Sequence, residues 1–368
     1  MELDAVLRKA LDQGASDIHL KVPLPPVIRI NGQLVPMRGE QRLTPDEIRR
    51  VALSIMNERQ REIFTKTKEL DMAYGVSKLA RFRVNVFSQR DSIAMVLRTI
   101  PSDPPMLKDL SLPGVVEKIA MENRGLVLVT GTTGSGKSTT LAAMINHINS
   151  FRNCHIMTIE DPIEFLHRDR KSIINQREVG QDTLTFQNAL RAALREDPDV
   201  ILVGEMRDLE TIEIAMLAAE TGHLVFSTLH TLDATETITR VISAFPIEHQ
   251  NSVRLQLSGI IKGIISQRLL PRGDGKGRVP AVEVLISTAR VRECIAEEKR
   301  TREIRDAIAE GHVSYGMQTF DQSLMFLFKN NLVTYETALA AASNPDDFAL
   351  FVRGISGTGS GEKWELGG

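Results

Sequence analysis

Cysteine is nearly absent, with only Cys154 and Cys294 in 368 residues. They form no CxxC pair, which excludes a thiolate zinc site and a disulfide framework. Two small packed side chains in a reducing compartment remain as the expectation. A charge excess is missing too. The chain carries 45 Lys and Arg against 47 Asp and Glu, for a net charge of −2, and a sequence pI of about 6.5. A dedicated nucleic-acid binder draws its affinity from a basic excess that this chain lacks. No apolar run approaches the ~20 residues that span a bilayer. The first residues, MELDAVLRKAL, lack the apolar core of a signal peptide. These absences predict a cytoplasmic protein without direct membrane insertion, reaching any membrane through a partner. Internal repeats are absent as well.

What is present suits a soluble two-domain protein: 368 residues, 42% hydrophobic and 25% charged. Leu3, Val6, Leu7, Ala10 and Leu11 follow helical spacing, with Gly14 as a C-cap. Strands are predicted at 18–22, 27–30 and 34–37, the last two joined by the hairpin signal Asn31-Gly32. Thr44-Pro45-Asp46-Glu47 opens a second helix with an N-cap, a proline at the first helical position and a capping glutamate. Polar–apolar alternation at 81–86, with a hairpin partner at 92–100, completes a small α+β domain over residues 1–100. Pro101-Ser102-Asp103-Pro104-Pro105 breaks regular structure and opens a linker over 101–112.

From residue 113 apolar runs alternate with helices, the pattern of an α/β domain with a mostly parallel sheet. The runs fall at 126–130, 156–159, 200–203 and 224–227, with helices near 137–148, 185–195 and 209–221. Further helical segments are predicted near 250–267 and 290–310, and Thr319-Phe320-Asp321-Gln322 reads as another capping box. This domain is expected to extend to residue 353. The glycine-rich tail 354–368 is expected to be disordered.

The segment Gly131-Thr132-Thr133-Gly134-Ser135-Gly136-Lys137-Ser138 matches GxxxxGK[ST] at every position, between an apolar strand and a helix. Its glycines let successive N–H groups face phosphate oxygens, and the helix adds its positive end. Lys137 is predicted to reach the β and γ phosphates of ATP, and the Ser138 hydroxyl to bind Mg²⁺; Thr139 follows them in the nucleotide-binding set. Strand 200–203 delivers Glu205 at its C-terminal end, where ligands sit in such sheets, to act on Mg²⁺ directly or through water. Thr158-Ile159-Glu160-Asp161-Pro162-Ile163-Glu164 ends another strand in carboxylates. Of these, Glu164 is favoured to orient or deprotonate the attacking water, with Glu160 beside it. The strand Gly222–His230 carries a histidine at each end, and His223 or His230 could sense the γ-phosphate or tie one subunit to the next. Among Arg81, Arg83, Arg90 and Arg98, one could neutralise transition-state charge.

Together GTTGSGKST, TIEDPIEF, DPDVILVGEMRD and GHLVFSTLH resemble, in order, the Walker A, Asp box, Walker B and His box of the secretion/type IV pilus ATPase family. The resemblance implies a RecA-like core behind a small PAS-like α+β domain, assembled as a homohexamer. ATP would lie between the two domains, and Arg83 and Arg98 are the positions that match the family's N-terminal arginines. The single N-terminal domain, the missing four-cysteine insertion, and segments such as Leu209-Glu210-Thr211-Ile212-Glu213 resemble the pilus-retraction branch. That branch implies an inner-membrane platform protein as partner, and in some members a paralogous pilus ATPase. Two stretches depart from its pattern. The AIRNLIRE motif stands here as Arg290-Val291-Arg292-Glu293-Cys294-Ile295-Ala296-Glu297, and an asparagine two residues after His230 is Leu232. They leave open whether the chain retracts pili alone or assists another motor. An assembly or secretion ATPase, and a nucleic-acid translocase, are the other readings.

Overall fold

The structure, a computed structural model, describes residues 1–30, 32–101 and 104–354. Asn31 of the hairpin signal, Ser102 and Asp103 of the proline-rich stretch, and all but the first residue of the tail lie outside the described residues. The chain divides into two compact units, Met1–Asp103 with Pro162–Leu166, and Pro104–Asp161 with His167–Gly368.

In the first unit, helices α1 (Leu3–Asp12), α2 (Pro45–Ile55) and α3 (Glu58–Thr67) accompany strands β1 (Asp17–Leu20), β2 (Val27–Ile30), β3 (Gln33–Pro36), β4 (Glu69–Val76), β5 (Ala80–Gln89) and β6 (Ser92–Ile100). The strands form one antiparallel sheet in the order β3-β2-β1-β6-β5-β4. Alternation assigns the faces. Ile18, Leu20, Phe82, Val84, Met95 and Leu97 join Leu7 and Ile48 in one apolar cluster. The intervening residues Asp17, His19, Arg83 and Arg98 fall on the opposite face. The capping box at Thr44 forms as expected, with Glu47 N–H donating to Thr44 Oγ1 and Thr44 N–H to the Glu47 carboxylate.

The second unit contains β7 (Gly125–Thr130), β8 (His155–Glu160), β9 (Ile173–Glu178), β10 (Val200–Val203), β11 (Leu224–Leu229), β12 (Ile261–Pro271) and β13 (Arg278–Ile286). Its helices are α4 (Val115–Ala120), α5 (Lys137–Phe151), α6 (Phe186–Ala193), α7 (Leu209–Glu220), α8 (Ala234–Ser243), α9 (Ile247–Ile260), α10 (Ala289–Ala296), α11 (Ile304–Glu310), α12 (His312–Tyr315), α13 (Phe320–Lys329), α14 (Tyr335–Ala341) and α15 (Pro345–Val352). The sheet order is β13-β12-β7-β11-β10-β8-β9, parallel except for the β12–β13 hairpin. Its central strands are apolar on both faces because both are covered. Leu126 and Leu128 pack with α6, α7 and α9, whereas Val127 and Val129 pack with α4 and α5.

Two helical expectations need correction. The segment 250–267 is helical only to Ile260; from Ile261 it becomes β12, lying between β7 and β13. A β-branched run on either side of Gly263 favours a strand once a sheet edge is available to pair with. The segment 290–310 is likewise divided into α10, a 3₁₀ turn over Glu298–Glu303, and α11. Residues 107–110 of the expected linker form a 3₁₀ turn whose Leu107 enters the core of the second unit.

Glu283 on β13 is buried, and its carboxylate accepts the Ala234 N–H of α8 at 2.9 Å. Burial pushes its pKa from 4.5 up to about 7; Asp233 adds to that, while the Ala234 bond and the charges of Arg268 and Arg305 oppose it. A raised carboxyl pKa means that the folded state keeps a proton which the unfolded chain has already lost. Stability therefore falls as pH rises from about 4.5 through about 7, by about 3 kcal/mol at about 1.4 kcal/mol per pH unit. Glu283→Gln keeps the acceptor and removes the titration. Melting curves from pH 5 to 8 should show wild-type protein losing several degrees relative to this variant as pH rises. Parallel curves would contradict the assignment.

Candidate active site

The parallel register brings the chemistry to one edge. Thr130 pairs with Leu229, Ser227 with Val203, and Val203 with Ile159. The chain therefore leaves the carboxyl ends of β7, β11, β10 and β8 as Gly131, His230, Gly204-Glu205 and Glu160 on the same side of the sheet. Open parallel sheets bind their ligands at that edge.

The loop between β7 and α5 turns through Gly131, Gly134 and Gly136, with φ of 137°, 80° and 97°. Only glycine takes up these conformations without strain. A β-carbon on Gly131 would run into the Gln267 carbonyl oxygen and the Ser135 hydroxyl. Lys137, 8% exposed, donates to the carbonyls of Gly131 (2.8 Å) and Thr132 (3.0 Å). Burial lowers its pKa, and the Glu205 charge opposes the shift. Thr132, Thr133, Gly134 and Ser138 are exposed at the mouth of the loop, Gly136 and Thr139 are half-buried, and Ser135 is buried with its hydroxyl unpartnered. This cradle fits a polyphosphate. It offers backbone amides, a helix N-terminus, an ammonium group and a spare hydroxyl.

Glu205, with 12% of its side chain exposed, pairs with Arg207 and stands 3.5 Å from His230 Nε2. Glu205 and His230 thus meet at this edge, and the Glu205 charge acts on Lys137. Glu160 is held by the Thr158 hydroxyl at 2.6 Å and by Gln176 Nε2 at 3.2 Å. Glu164 is exposed within Pro162–Leu166, a segment that groups with the first unit. His223, expected in the nucleotide-binding set, does not share this edge within the chain. It precedes β11 at the opposite edge, roughly 20 Å of strand from His230. There its Nδ1 lies 2.9 Å from the Ala218 carbonyl oxygen, closing the end of α7.

In the first unit, Arg29, Asp17, Arg98 and Arg83 form one row across β2, β1, β6 and β5. Asp17, 5% exposed, accepts from Arg98 Nε at 2.8 Å and lies 3.7 Å from Arg29 Nε. Burial pushes the Asp17 carboxyl up, but its bonds to Arg98 and Ser16 and the two arginine charges hold it below the usual carboxylate range. Arg83 is exposed beside Arg98. Motif reading missed Asp17, Arg207, Gln176 and Gln267. Asp17 and Arg207 were visible only as charges near a strand end, and nothing local marked the two glutamines.

Among the described residues no cluster of three or more His, Cys, Asp or Glu side chains is arranged to hold a metal. A Mg²⁺ ion that travels with nucleotide phosphates needs only one or two protein ligands, and the Ser138 hydroxyl and the Glu205 carboxylate are the oxygen groups at this edge that could hold one. No helix among the described residues is long and apolar enough to cross a membrane.

A phosphate loop between a buried strand and a helix, with an acid and a histidine on neighbouring strand ends, defines a P-loop ATPase. The model of the Type II/IV secretion system protein family matches residues 1–325, and the chain belongs to that family. It is 47% identical over 353 residues to the type IV pilus retractation ATPase PilT of Pseudomonas aeruginosa, covering 95% of this chain and 100% of that protein. It is 40% identical over 353 residues to the type IV pilus ATPase PilU of the same organism, covering 96% and 92%. The crystal structure of the pilus retraction motor PilT with bound ADP superposes with a TM-score of 0.87 at 48% identity, covering 94% of this chain and 98% of that one. The chain is an ATPase with an α/β core, as its motifs implied.

Proposed function

We propose that this chain is a motor that hydrolyses ATP to retract type IV pili. The observation that carries this reading is the 47% identity with the pilus retractation ATPase, which runs along that protein's entire length. In this reading six copies form a cytoplasmic ring. Nucleotide turnover moves the two units of each copy and drives an inner-membrane platform protein. Ser138 and Glu205 hold Mg²⁺, partly through water, which when bound neutralises charge developing on the phosphates. Glu164 orients or deprotonates the attacking water, with Glu160 in support, and His230 senses the γ-phosphate beside Glu205. Arg83 and Arg98 neutralise transition-state charge. Nucleic acid has no part in the cycle.

Arg83 and Arg98 are both exposed, and Asp17 holds Arg98. Arg83→Ala is therefore expected to cut ATP turnover by at least about 100-fold while leaving the melting temperature unchanged. Undiminished turnover would remove Arg83 from the site. Deleting the gene tests the wider reading, which expects cells that keep their pili and stop twitching. Loss of pili would point to an assembly motor instead.

A second reading has its own observation. The 40% identity to PilU, with the altered stretch Arg290–Glu297, fits an accessory subunit working with a paralogous pilus ATPase. Purified wild-type protein that binds ATP but does not turn it over at any concentration would favour it.

A further inference from the structure

We propose that Gln267 is a positioning residue of the ATPase. Through Thr140 it fixes the first turns of α5 against β12, and so sets the nucleotide affinity of the phosphate loop. Gln267 is 2% exposed, and its Nε2 donates to the Thr140 hydroxyl at 2.8 Å, a contact buried on both sides. Thr140 lies one turn into α5, where its N–H closes on the Gly136 carbonyl at 3.0 Å. It therefore belongs to the turn that presents Lys137 and Ser138.

The same strand touches the loop at its other end. The Gln267 carbonyl oxygen occupies the space that a side chain on Gly131 would need. The neighbouring Ser266 hydroxyl accepts from Thr130 Oγ1 at 2.9 Å. Two successive residues of β12 thus bracket the loop, Ser266 at the last residue of its strand and Gln267 at both its first glycine and its helix.

The Gln267 Oε1 atom is buried and has no hydrogen-bond partner, a condition native interiors avoid and apolar side chains never meet. What the amide contributes beside the loop is its Nε2 bond to the Thr140 hydroxyl. Beyond Gln267, Arg268 lies over the Phe320 ring at 3.9 Å and donates to the Ala341 carbonyl. The residue that steadies the loop is thereby continuous with the packing of the C-terminal helices.

The test uses the full chain, with binding of fluorescently labelled ADP and steady-state ATP turnover as readouts. Gln267→Leu and Thr140→Val should each weaken ADP binding and raise KM about tenfold. The double variant should be no worse than either single one. Thr140→Ser, which keeps the hydroxyl, should recover most of the affinity lost in Thr140→Val. Wild-type ADP affinity in Gln267→Leu, additive losses in the double variant, or equal losses in Thr140→Ser and Thr140→Val would each overturn the proposal. Should Gln267→Leu fail to fold, the Thr140 pair decides alone. The inference rests on the phosphate-loop assignment, which Lys137→Ala tests separately.

Discussion

Lys137→Ala protein is expected to hydrolyse ATP on the order of 100- to 1,000-fold more slowly than the parent chain. Catalysis of phosphoryl transfer is almost wholly positioning and charge stabilisation, and Lys137 is the buried cation of the loop. Its ammonium now donates to the Gly131 and Thr132 carbonyls, so incoming phosphates compete with two neutral acceptors. A charged acceptor wins because it adds ion–ion attraction that a neutral carbonyl does not offer. A melting curve close to wild type would show that the lost activity is chemical rather than structural. Full turnover by this variant would sink the site assignment.

Glu205→Gln should behave differently: ATP still binds, but turnover falls by about 100-fold or more. The carboxylate lies between Arg207 and His230 and is electrostatically felt by Lys137. Removing its charge while keeping its shape leaves the phosphate cradle intact and takes away the acid proposed to handle Mg²⁺ or water. Labelled ATP binding measured beside turnover separates the two effects. Equal loss of both would make Glu205 a structural support of the loop. Unchanged turnover would move the chemistry to Glu160 or Glu164.

Part of the site could be read before any fold was known. The phosphate loop is a contiguous run whose chemistry depends on local backbone freedom, so eight adjacent residues suffice to identify it. Glu205 and His230 were legible because each closes an apolar strand, and parallel sheets carry their ligands at the carboxyl ends of strands. The strands 27–30, 92–100 and 200–203 appear where alternation or an apolar run placed them. The capping boxes at Thr44 and Thr319 formed because a cap is a short-range hydrogen-bond pattern.

The misread parts share one physical cause, since a long-range partner decides them. Ile261–Pro271 could continue a helix or extend, and pairing with β7 and β13 makes it a strand. His223 and His230 bound one strand, and only the fold shows what each meets, the Ala218 carbonyl for one and Glu205 for the other. Composition gave no order among the arginines, whereas the sheet sets Asp17 against Arg98 across 81 residues. Gln267 and Thr140 meet across 127 residues, and Glu283 reaches Ala234 across 49. By itself the sequence determined the reaction class and the loop that binds nucleotide, because those reside in local backbone chemistry. Tertiary structure alone decided which charges are paired and which polar groups are buried beside the loop, because burial and cross-strand register arise only when distant segments pack.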